Sequence, residues 1–324
     1  MESFTTRTLR LGTRPSRLAR WQTEHVIRSL QATWPGLECH TLAFVTEGDK
    51  TLDRPLPEIG GKGVFTEELE RALRAGEIDL AVHSLKDLPV EDAPGLAIGA
   101  ICPREDAHDV LISRERWALG TLPQGARVGT CSLRRAAQLL AARPDLTLLP
   151  LRGNVDTRIR KAMQGDYDAI VLAAAGVLRL GLDATIAREA YLPFDVMLPA
   201  PGQGALAVQC RADDLAAREL LATIDDSSSR AAVTAERAFL KGLGGGCTAP
   251  VAAYAQSDIQ PHGGASQSPT PQGRFAVSNL RMVGLVASTN GRRVIRVSGE
   301  GSEPMTLGVE LAQQALAQGV GELL

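Results

Sequence analysis

Four arginines in two short motifs are the side chains of this chain best suited to bind an anion. They are Arg134 and Arg135 in Gly129-Thr-Cys-Ser-Leu-Arg-Arg135, and Arg152 and Arg158 in Leu151-Arg-Gly-Asn-Val-Asp-Thr-Arg158. Each motif follows a short apolar run and opens a helical pattern. Free backbone N–H groups and the helix dipole favour an anion at such a strand-to-helix junction, and guanidinium adds two parallel donors that match a carboxylate or phosphate. Two such sites in succession predict a cradle for a ligand with several negative charges.

An amine and a carboxylate lie side by side in His83-Ser-Leu-Lys-Asp-Leu-Pro89, directly after a predicted strand. Lys86 and Asp87 are therefore expected at the carboxyl end of that strand, the edge of an α/β sheet where ligands bind. An aspartate in this place is most often a turn residue or a helix cap; the functional alternative is a carboxylate that stabilises a cation and moves a proton. A nearby lysine or arginine would lower the pKa of Asp87 and burial would raise it. The sequence leaves that balance open.

The segment Gly12-Thr-Arg-Pro-Ser16 repeats the strand-to-helix pattern near the start of the chain. Arg14 and Ser16 are candidates for a further anion contact, and the alternative is a helix cap beside a solvated arginine. Lys62, in Gly60-Gly-Lys-Gly63, is either an anion contact or, on spacing alone, a surface lysine.

Cys247 follows three glycines. A lone cysteine in an intracellular protein is usually a small buried hydrophobic residue. Here the glycines let the backbone bend and leave the sulfur at the tip of a loop, where an accessible thiol could carry a group covalently. Residue types alone leave both interpretations open.

The overall composition limits the class of partner. The 324 residues carry a formal charge of −2 and only 4% aromatic residues, so basic character must be local, and neither a nucleic-acid coat nor a base-stacking surface is expected. The first residues do not resemble a secretory signal, and no apolar run approaches the roughly 18 residues of a membrane span. The five cysteines and five histidines form no spacing typical of a disulfide scaffold or a zinc site. We expect a reduced, cytoplasmic protein with no metal.

Alternating strands and helices must position these residues, which favours sheets that are mostly parallel, with helices on both faces. The pattern runs once, crosses at Cys102–His108 and restarts; Ala205–Cys210 could return to the first unit. Two α/β lobes joined in this way form a cleft, where ligands bind. The predicted strands are Thr8–Gly12, Glu38–Val45, Asp79–Ser84, Leu96–Ile101, Asp109–Ile112, Arg127–Gly129, Thr147–Pro150, Ala169–Leu172 and Ala205–Cys210. The predicted helices are Arg17–Thr33, Phe65–Ala75, Leu133–Ala142, Asn154–Gln164 and Ala174–Leu180.

From Ser227 onward the pattern predicts a small α+β unit. Its expected elements are the helix Ser227–Leu243, the antiparallel strands Val251–Gln256, Phe275–Ala287 and Arg293–Glu300, and the helix Pro304–Gln318. Ser257–Gly273 is rich in Ser, Gln, Pro and Gly, which is typical of a flexible hairpin insertion without a catalytic part.

With these pieces in place, the chain resembles the porphobilinogen deaminase family, whose members are also called hydroxymethylbilane synthases. The likeness runs from about Thr8 to the C-terminal helix. Each motif is weak alone, but their order and spacing are specific. The motifs are Gly60-Gly-Lys-Gly63, Ala81-Val-His-Ser-Leu-Lys-Asp-Leu-Pro89, Gly129–Arg135, Leu151-Arg-Gly-Asn154, Gly202-Gln-Gly204 and Gly245-Gly-Cys247.

The resemblance implies an α/β fold with two lobes like those of periplasmic binding proteins and a smaller α+β C-terminal domain. The implied boundaries are residues 1–104 with 203–222 for the first lobe, 105–202 for the second, and 223–324 for the C-terminal domain, which would carry the cofactor cysteine. The implied enzyme, a transferase, joins four porphobilinogen molecules head to tail, releases ammonia and frees a linear tetrapyrrole. A dipyrromethane cofactor, attached by a thioether, starts the chain.

The resemblance also implies roles for individual residues. Cys247 would attach the dipyrromethane, Asp87 would be catalytic, and Lys62 would belong to a loop that covers the site. The residues implied to bind the cofactor are Ser84, Lys86, Ser132, Arg134, Arg135 and Arg158. Those implied to bind the substrate are Arg14, Ser16, Arg104, Arg152 and Arg179.

Three positions depart from the family pattern. Glu47 stands where a basic residue is frequent, Pro201 replaces an aliphatic residue and would stiffen a hinge, and Cys131 replaces a frequent serine beside Ser132. Cys131 thus places a second thiol near the cleft, although Cys247 is the expected attachment point.

Two other functions compete with the synthase. A binding protein for an organic anion could use the same cleft, but it would have no purpose for a third domain with Cys247. A hydrolase with a cysteine nucleophile would need a histidine partner, and no histidine is suggestively placed. We expect a monomer whose small-molecule substrate is porphobilinogen, with no nucleic-acid or membrane partner.

Overall fold

The computed structural model describes residues 8–50, 63, 66–91, 93–183, 190–244, 250–257 and 279–323. Lys62 and Cys247 lie outside these residues, as does all of the Ser257–Gly273 insertion except Ser257 itself. The other site residues predicted from the sequence fall within the described ranges.

Within these ranges the chain forms strands and helices in alternation over its first two thirds. The strands are β1 (Leu9–Thr13), β2 (Cys39–Ala43), β3 (Leu80–Ser84), β4 (Leu96–Ile101), β5 (Asp109–Ile112), β6 (Arg127–Gly129), β7 (Thr147–Leu149), β8 (Ala169–Ala173), β9 (Tyr191–Leu192), β10 (Leu206–Arg211), β11 (Val251–Ser257), β12 (Leu280–Ala287) and β13 (Val294–Gly301). The helices are α1 (Arg17–Thr33), α2 (Glu47–Lys50), α3 (Glu67–Arg74), α4 (Leu133–Ala142), α5 (Val155–Gln164), α6 (Ala174–Arg179), α7 (Leu215–Ala222), α8 (Ser227–Gly242) and α9 (Pro304–Ala317).

The first lobe is built on a five-stranded sheet of order β2-β1-β3-β10-β4. Successive residues of β3 face opposite sides of the sheet, and both sides are covered. Leu80 packs with Val26 of α1, whereas Ala81 packs with Leu69 of α3. The expected return of the chain to the first lobe is confirmed, because β10 lies between β3 and β4.

The second lobe has a five-stranded sheet of order β7-β6-β8-β5-β9. The expected parallel arrangement holds except for one strand in each lobe. β10 is antiparallel to β3 and β4, and β5 is antiparallel to β8 and β9. Both strands follow a crossing between the lobes, so they start at the edge where the parallel strands of their sheets end. Asp109, the first residue of β5, is thereby placed at the cleft.

The C-terminal unit is an antiparallel sheet of order β11-β12-β13, packed against α8 and α9. Phe239 of α8 is fully buried over Gly284 of β12. A Cβ atom at residue 284 would lie 2.5 Å from the phenyl ring, so only glycine leaves room for it. The predicted small α+β unit is confirmed in this part of the chain.

Candidate active site

A cavity of about 860 Å³ lies between the lobes, where β1, β3, β6, β7 and β8 end. The connections after these strands form most of its wall, together with the crossing segment before β10. Arg237 and Leu240 of α8 and Val251 of β11 extend the wall into the C-terminal unit. The cavity therefore occupies the position at which α/β sheets bind ligands.

Three serine hydroxyls line this cavity. The Ser16 Oγ accepts from the Ala19 N–H (3.2 Å) and caps α1, and the Ser132 Oγ accepts from the Arg135 N–H (3.4 Å) and caps α4. The Ser84 Oγ accepts from the Gln22 Nε2 at 2.9 Å. Since each oxygen acts as the acceptor in these bonds, each hydroxyl proton can still be donated to a ligand.

Arg134 and Arg135 are held by a buried carboxylate that the sequence analysis did not assign to the site. Asp109 Oδ1 lies 2.6 Å from Arg135 Nη2, and Asp109 Oδ2 lies 2.8 Å from Arg134 Nη1. Asp109 is fully buried, and the two arginines are only 6% and 7% exposed. Burial opposes ionisation, but the two guanidinium groups hold the pKa of Asp109 well below its usual range. Two cations against one carboxylate leave the cluster positive, so it still attracts an anion.

Lys86 and Asp87 follow β3 in a short 3-10 helix, Leu85–Asp87, and both line the cavity. The Asp87 side chain is exposed to the cavity side of the molecule, as a carboxylate that meets a ligand must be. The Lys86 Nζ donates to the Gln203 Oε1 at 3.1 Å. Burial, reinforced by repulsion from Arg135, lowers the pKa of Lys86 to about 8.

Four other predicted arginines line the same cavity: Arg14, Arg152, Arg158 and Arg179. The Arg158 Nε donates to the Gly153 carbonyl (2.7 Å), and the Arg179 Nη2 donates to the Gly204 carbonyl (2.7 Å). Burial lowers the pKa of both side chains, which does not discharge a guanidinium near neutral pH.

Arg14 has a protein partner in addition to its place in the cavity wall. Its Nε donates to Asp49 Oδ2 at 3.1 Å. Burial raises the pKa of Asp49, but the hydrogen bond from Arg14 more than offsets this and holds the pKa below its ordinary value. Part of the Arg14 charge is therefore balanced before any ligand binds.

Arg104 is the one predicted arginine that is not in the cavity wall. Its Nη1 lies 2.6 Å from Glu236 Oε1 of α8, its Nε donates to the Gln203 carbonyl (2.8 Å), and its guanidinium lies 5.0 Å from the Tyr254 ring. Glu236 is fully buried. Arg104 thus joins the crossing segment to the C-terminal unit in this structure.

Sequence reasoning missed four residues of the site: Asp49, Asp109, Gln203 and Arg237. Asp109 was assigned only to a strand, and Gln203 was noted only as part of a glycine motif. Arg237 donates to the carbonyls of Leu88 (3.2 Å) and Pro89 (2.6 Å), directly after Asp87. The glycines around Gln203 were the only available signal, because the other three residues gain their role from contacts distant in sequence.

The two thiols expected near the cleft lie in different parts of the chain. Cys131 is exposed and lines the cavity, and its Sγ accepts from the Leu151 N–H at 3.2 Å. Cys247 belongs to the segment 245–249, outside the described residues. Leu240 and Val251, which precede and follow this segment in the sequence, line the cavity.

The described residues offer no support for three other features: a cysteine–histidine pair in the cavity, a metal site and a membrane-spanning helix. None of its histidines, His25, His40, His83 and His108, lines the cavity, so a cysteine–histidine pair finds no support there. Among the same residues, no group of three or more His, Cys, Asp or Glu side chains could hold a metal ion. No helix in the described ranges has the length and apolar character needed to cross a membrane.

Two family descriptions match this chain. Residues 9–219 match "Porphobilinogen deaminase, dipyromethane cofactor binding domain", and residues 230–317 match "Porphobilinogen deaminase, C-terminal domain". Among curated relatives, the porphobilinogen deaminase of Moorella thermoacetica is 48% identical over 98% of this chain and 95% of its own length. That of Roseiflexus sp. (strain RS-1) is 49% identical over 98% of both chains.

The solved structures that match this chain are much more distant in sequence than these relatives. The methionine binding protein MetQ is 14% identical, with a TM-score of 0.43, over 69% of this chain and 92% of its own. A nutrient binding protein from Burkholderia cenocepacia, bound to methionine, is 15% identical, with a TM-score of 0.41, over 68% of this chain and 93% of its own.

Proposed function

Because the chain belongs to the porphobilinogen deaminase family, it is a transferase that makes hydroxymethylbilane in tetrapyrrole biosynthesis, and we propose that the cavity between its lobes is the site of condensation. The observation that carries this proposal is the convergence of Arg134, Arg135, Arg152 and Arg158 with Asp87 around one cavity. Porphobilinogen bears an acetate and a propionate, so each added ring brings two carboxylates. A cavity rich in arginine suits that charge, while the whole chain remains near neutrality.

The residues present fit a dipyrromethane cofactor. The buried Asp109–Arg134–Arg135 cluster retains a positive charge, and the Ser132 hydroxyl lies in the same wall. We propose that Ser84, Lys86, Ser132, Arg134, Arg135 and Arg158 bind its carboxylates and that Cys247 holds it through a thioether. When bound, the dipyrromethane supplies the pyrrole carbon to which the first substrate is joined. Arg14, Ser16, Arg152 and Arg179 would bind the carboxylates of the incoming substrate, and Lys62 would lie in a covering loop.

Asp87 is proposed as the catalytic carboxylate. Loss of ammonia from the aminomethyl group of porphobilinogen leaves an azafulvenium-type cation, which a fixed carboxylate stabilises electrostatically. The same carboxylate can accept and return protons as the new carbon–carbon bond forms and the pyrrole carbon loses its hydrogen. Arg237 supports this role indirectly, since its bonds to the Leu88 and Pro89 carbonyls hold the segment that carries Asp87.

Arg104 is proposed to act on the substrate only through the position of the crossing segment, because its guanidinium is occupied by Glu236 and the Gln203 carbonyl. This differs from the direct substrate contact implied by the family resemblance.

We also propose the domain boundaries 1–104 with 203–222, 105–202 and 223–324, which the separation of the three sheets supports. A monomer is favoured because side chains from both lobes and from the C-terminal unit of this one chain line the cavity. A cytoplasmic location is supported by Cys39, Cys102, Cys131 and Cys210, which are free thiols, as is usual in a reducing compartment.

Mass spectrometry of the intact, purified protein tests the proposal. A covalent dipyrromethane should add a fixed mass, and further increments should appear after porphobilinogen is added. Peptide mapping should place the adduct on Cys247. An adduct on Cys131, or no adduct in a protein that still forms product, would refute the proposed attachment.

A further inference from the structure

The turn Gly202-Gln-Gly204 is the point at which charged side chains from all three parts of the molecule meet. Gly202 and Gly204 have positive φ angles of 76° and 90°. A Cβ atom at residue 204 would lie 2.3 Å from the Glu105 carbonyl oxygen, in the other crossing segment. Gly204 therefore lets the two crossing segments approach closely at the hinge, where both of them connect the two lobes.

Side chains from different elements hold the backbone of this turn. The Gly202 N–H donates to Glu236 Oε2 of the C-terminal unit (2.7 Å). The Gln203 carbonyl accepts from Arg104 (2.8 Å), and the Gly204 carbonyl accepts from Arg179 of the second lobe (2.7 Å). With its backbone fixed in this way, the turn presents the Gln203 side chain in a defined position.

The Gln203 side chain is fully buried and joins the two lobes. Its Oε1 accepts from the Lys86 Nζ of the first lobe (3.1 Å). Its Nε2 donates to Asp109 Oδ1 of the second lobe (3.0 Å) and to the Ala107 carbonyl (2.8 Å). An ammonium only donates and a carboxylate only accepts, so a neutral amide satisfies both partners in a single orientation.

We propose that Gln203 is a positioning residue of the condensation reaction. Its amide holds the Lys86 ammonium of the first lobe at a fixed position relative to the Asp109–Arg134–Arg135 cluster of the second lobe. This inference rests on the proposed function of the cavity. It adds that the cations of the two lobes, which would otherwise repel each other, act together on one set of pyrrole carboxylates. The intervening amide and Asp109 offset that repulsion.

The protonation of Lys86 gives a readout that a purely structural role would not change. Burial and Arg135 lower its pKa to about 8, and a hydrogen bond from the ammonium to an acceptor stabilises the charged form. Loss of the Gln203 Oε1 should therefore lower the pKa of Lys86 further. A carboxylate in place of the amide should raise it. The two substitutions are expected to move the same group in opposite directions.

The experiment is an NMR titration of the full chain labelled at the lysine side chains. The chain has only five lysines, and the signal of Lys86 is identified by its loss in Lys86→Met. In the wild type, Lys86 should titrate below the ordinary lysine range, at a midpoint set by its burial, by Gln203 and by the bound cofactor carboxylates. The Lys86 midpoint should fall by about one pH unit in Gln203→Met and rise by about one unit in Gln203→Glu.

A second arm measures porphobilinogen consumption against pH. The basic limb of kcat/KM reports groups of the free enzyme, so its midpoint should shift in the same directions as the Lys86 titration. Gln138→Met is the matched control. Gln138 is also buried but bonds only to backbone groups of Arg134 and Leu198, so this variant should lose stability without moving either midpoint.

The outcomes separate this proposal from the proposed function. Unchanged Lys86 midpoints in both Gln203 variants, or an equal shift in Gln138→Met, would overturn the role of Gln203. If Gln203→Met fails to fold, the Lys86 midpoint in Gln203→Glu still tests the proposal. A rise supports the role of Gln203, and an unchanged midpoint overturns it. Failure of the wild type to consume porphobilinogen would refute the proposed function. The NMR titration needs no substrate, so it would still test the hydrogen bonds that join Lys86 to Asp109 through Gln203.

Discussion

Arginine supplies nearly all the positive charge of the cavity. The chain has thirty arginines and only five lysines. A guanidinium keeps its proton even when buried, whereas an amine in the same surroundings loses it more readily. The lowered pKa of Lys86, about 8, shows this difference. The affinity of the cavity for carboxylates is therefore expected to vary little with pH as long as Lys86 is protonated. It should decrease above about pH 8, where Lys86 loses its proton.

The role of Asp87 gives the first prediction. Asp87→Asn keeps the shape of the side chain but removes the negative charge that stabilises the cation and the base that accepts a proton. We expect kcat to fall on the order of 10²- to 10⁴-fold, while the dipyrromethane remains attached. Steady-state kinetics and intact mass measure the two effects.

Asp213→Asn is the control for this change, because Asp213 is exposed in the loop between β10 and α7. It should retain wild-type turnover. Normal turnover in Asp87→Asn would remove Asp87 from the mechanism.

His83 gives a prediction about stability and pH. Burial lowers its pKa from 6.5 to about 4, so between these values the unfolded chain binds a proton that the folded chain does not. The free energy of unfolding should therefore decrease as pH falls from 6.5 to 4, by at most about 3 kcal/mol from this residue. Urea unfolding across this range should show a weaker pH dependence in His83→Gln. The exposed His40 provides the control, and an equal effect of His40→Gln would contradict the argument.

Among the secondary-structure elements, the two reversed strands explain where the site forms. β5 and β10 start at the cleft after the chain has crossed between the lobes, so their first residues join the ends of the parallel strands. Asp109 reaches Arg134 and Arg135 in this way, and the Gly202-Gln-Gly204 turn reaches Lys86. A strand in the usual direction would have placed these residues at the far edge of the sheet.

The close approach at this turn predicts the effect of a methyl group placed there. In Gly204→Ala the new methyl group would lie 2.3 Å from the Glu105 carbonyl oxygen, at a φ of 90°. The free energy of unfolding should fall by about 3 kcal/mol or more, as expected for steric strain combined with a left-handed backbone. Chemical denaturation measures the loss.

Gly76→Ala isolates the backbone contribution. Gly76 also has a positive φ, 68°, but a Cβ atom added there would meet open space, with no described neighbour within 4 Å. The expected loss is only about 1 kcal/mol. Equal losses in the two variants would mean that the crossing segments move apart at little cost.

Across the whole molecule, Glu236 links the C-terminal unit to both crossing segments. This fully buried carboxylate accepts from Arg104, from the Gly202 N–H (2.7 Å) and from the Ala255 N–H of β11 (2.8 Å). The C-terminal unit is thereby attached at the hinge itself. The orientation of the C-terminal unit and the relative position of the two lobes are therefore expected to depend on each other.

Arg104→Met tests this arrangement. The substitution leaves the buried Glu236 carboxylate without its cation, so the free energy of unfolding should fall by about 3–5 kcal/mol. The KM for porphobilinogen should change less than twofold in the enzyme that remains folded. A large rise in KM with unchanged stability would instead support direct binding of the substrate by Arg104.

Arg114→Met is the matched control, because it also removes the cation of an ion pair. Arg114 Nε lies 2.9 Å from Glu115 Oε1, and the two side chains are 62% and 49% exposed. A solvent-exposed ion pair of this kind contributes about 1 kcal/mol or less, so this variant should unfold almost as the wild type does.

The sequence determined most of the secondary structure and the family. The strands Leu96–Ile101, Asp109–Ile112 and Arg127–Gly129 and the helix Leu133–Ala142 have the predicted bounds, because apolar periodicity and capping residues are local signals. The short strand Tyr191–Leu192 and the helices Glu47–Lys50 and Leu215–Ala222 were not predicted. The first two are too short for a periodic pattern.

Only the tertiary structure decided which charged groups face each other. The sequence placed Arg104 and Arg134 alike among the ligand-binding arginines, yet one is held by Glu236 outside the cavity and the other by Asp109 in its wall. The partners lie 132 and 25 residues away along the chain. Local spacing carries no information on such pairs, because the energy of an ion pair depends on distance and burial, which exist only once the lobes and the C-terminal unit have packed together.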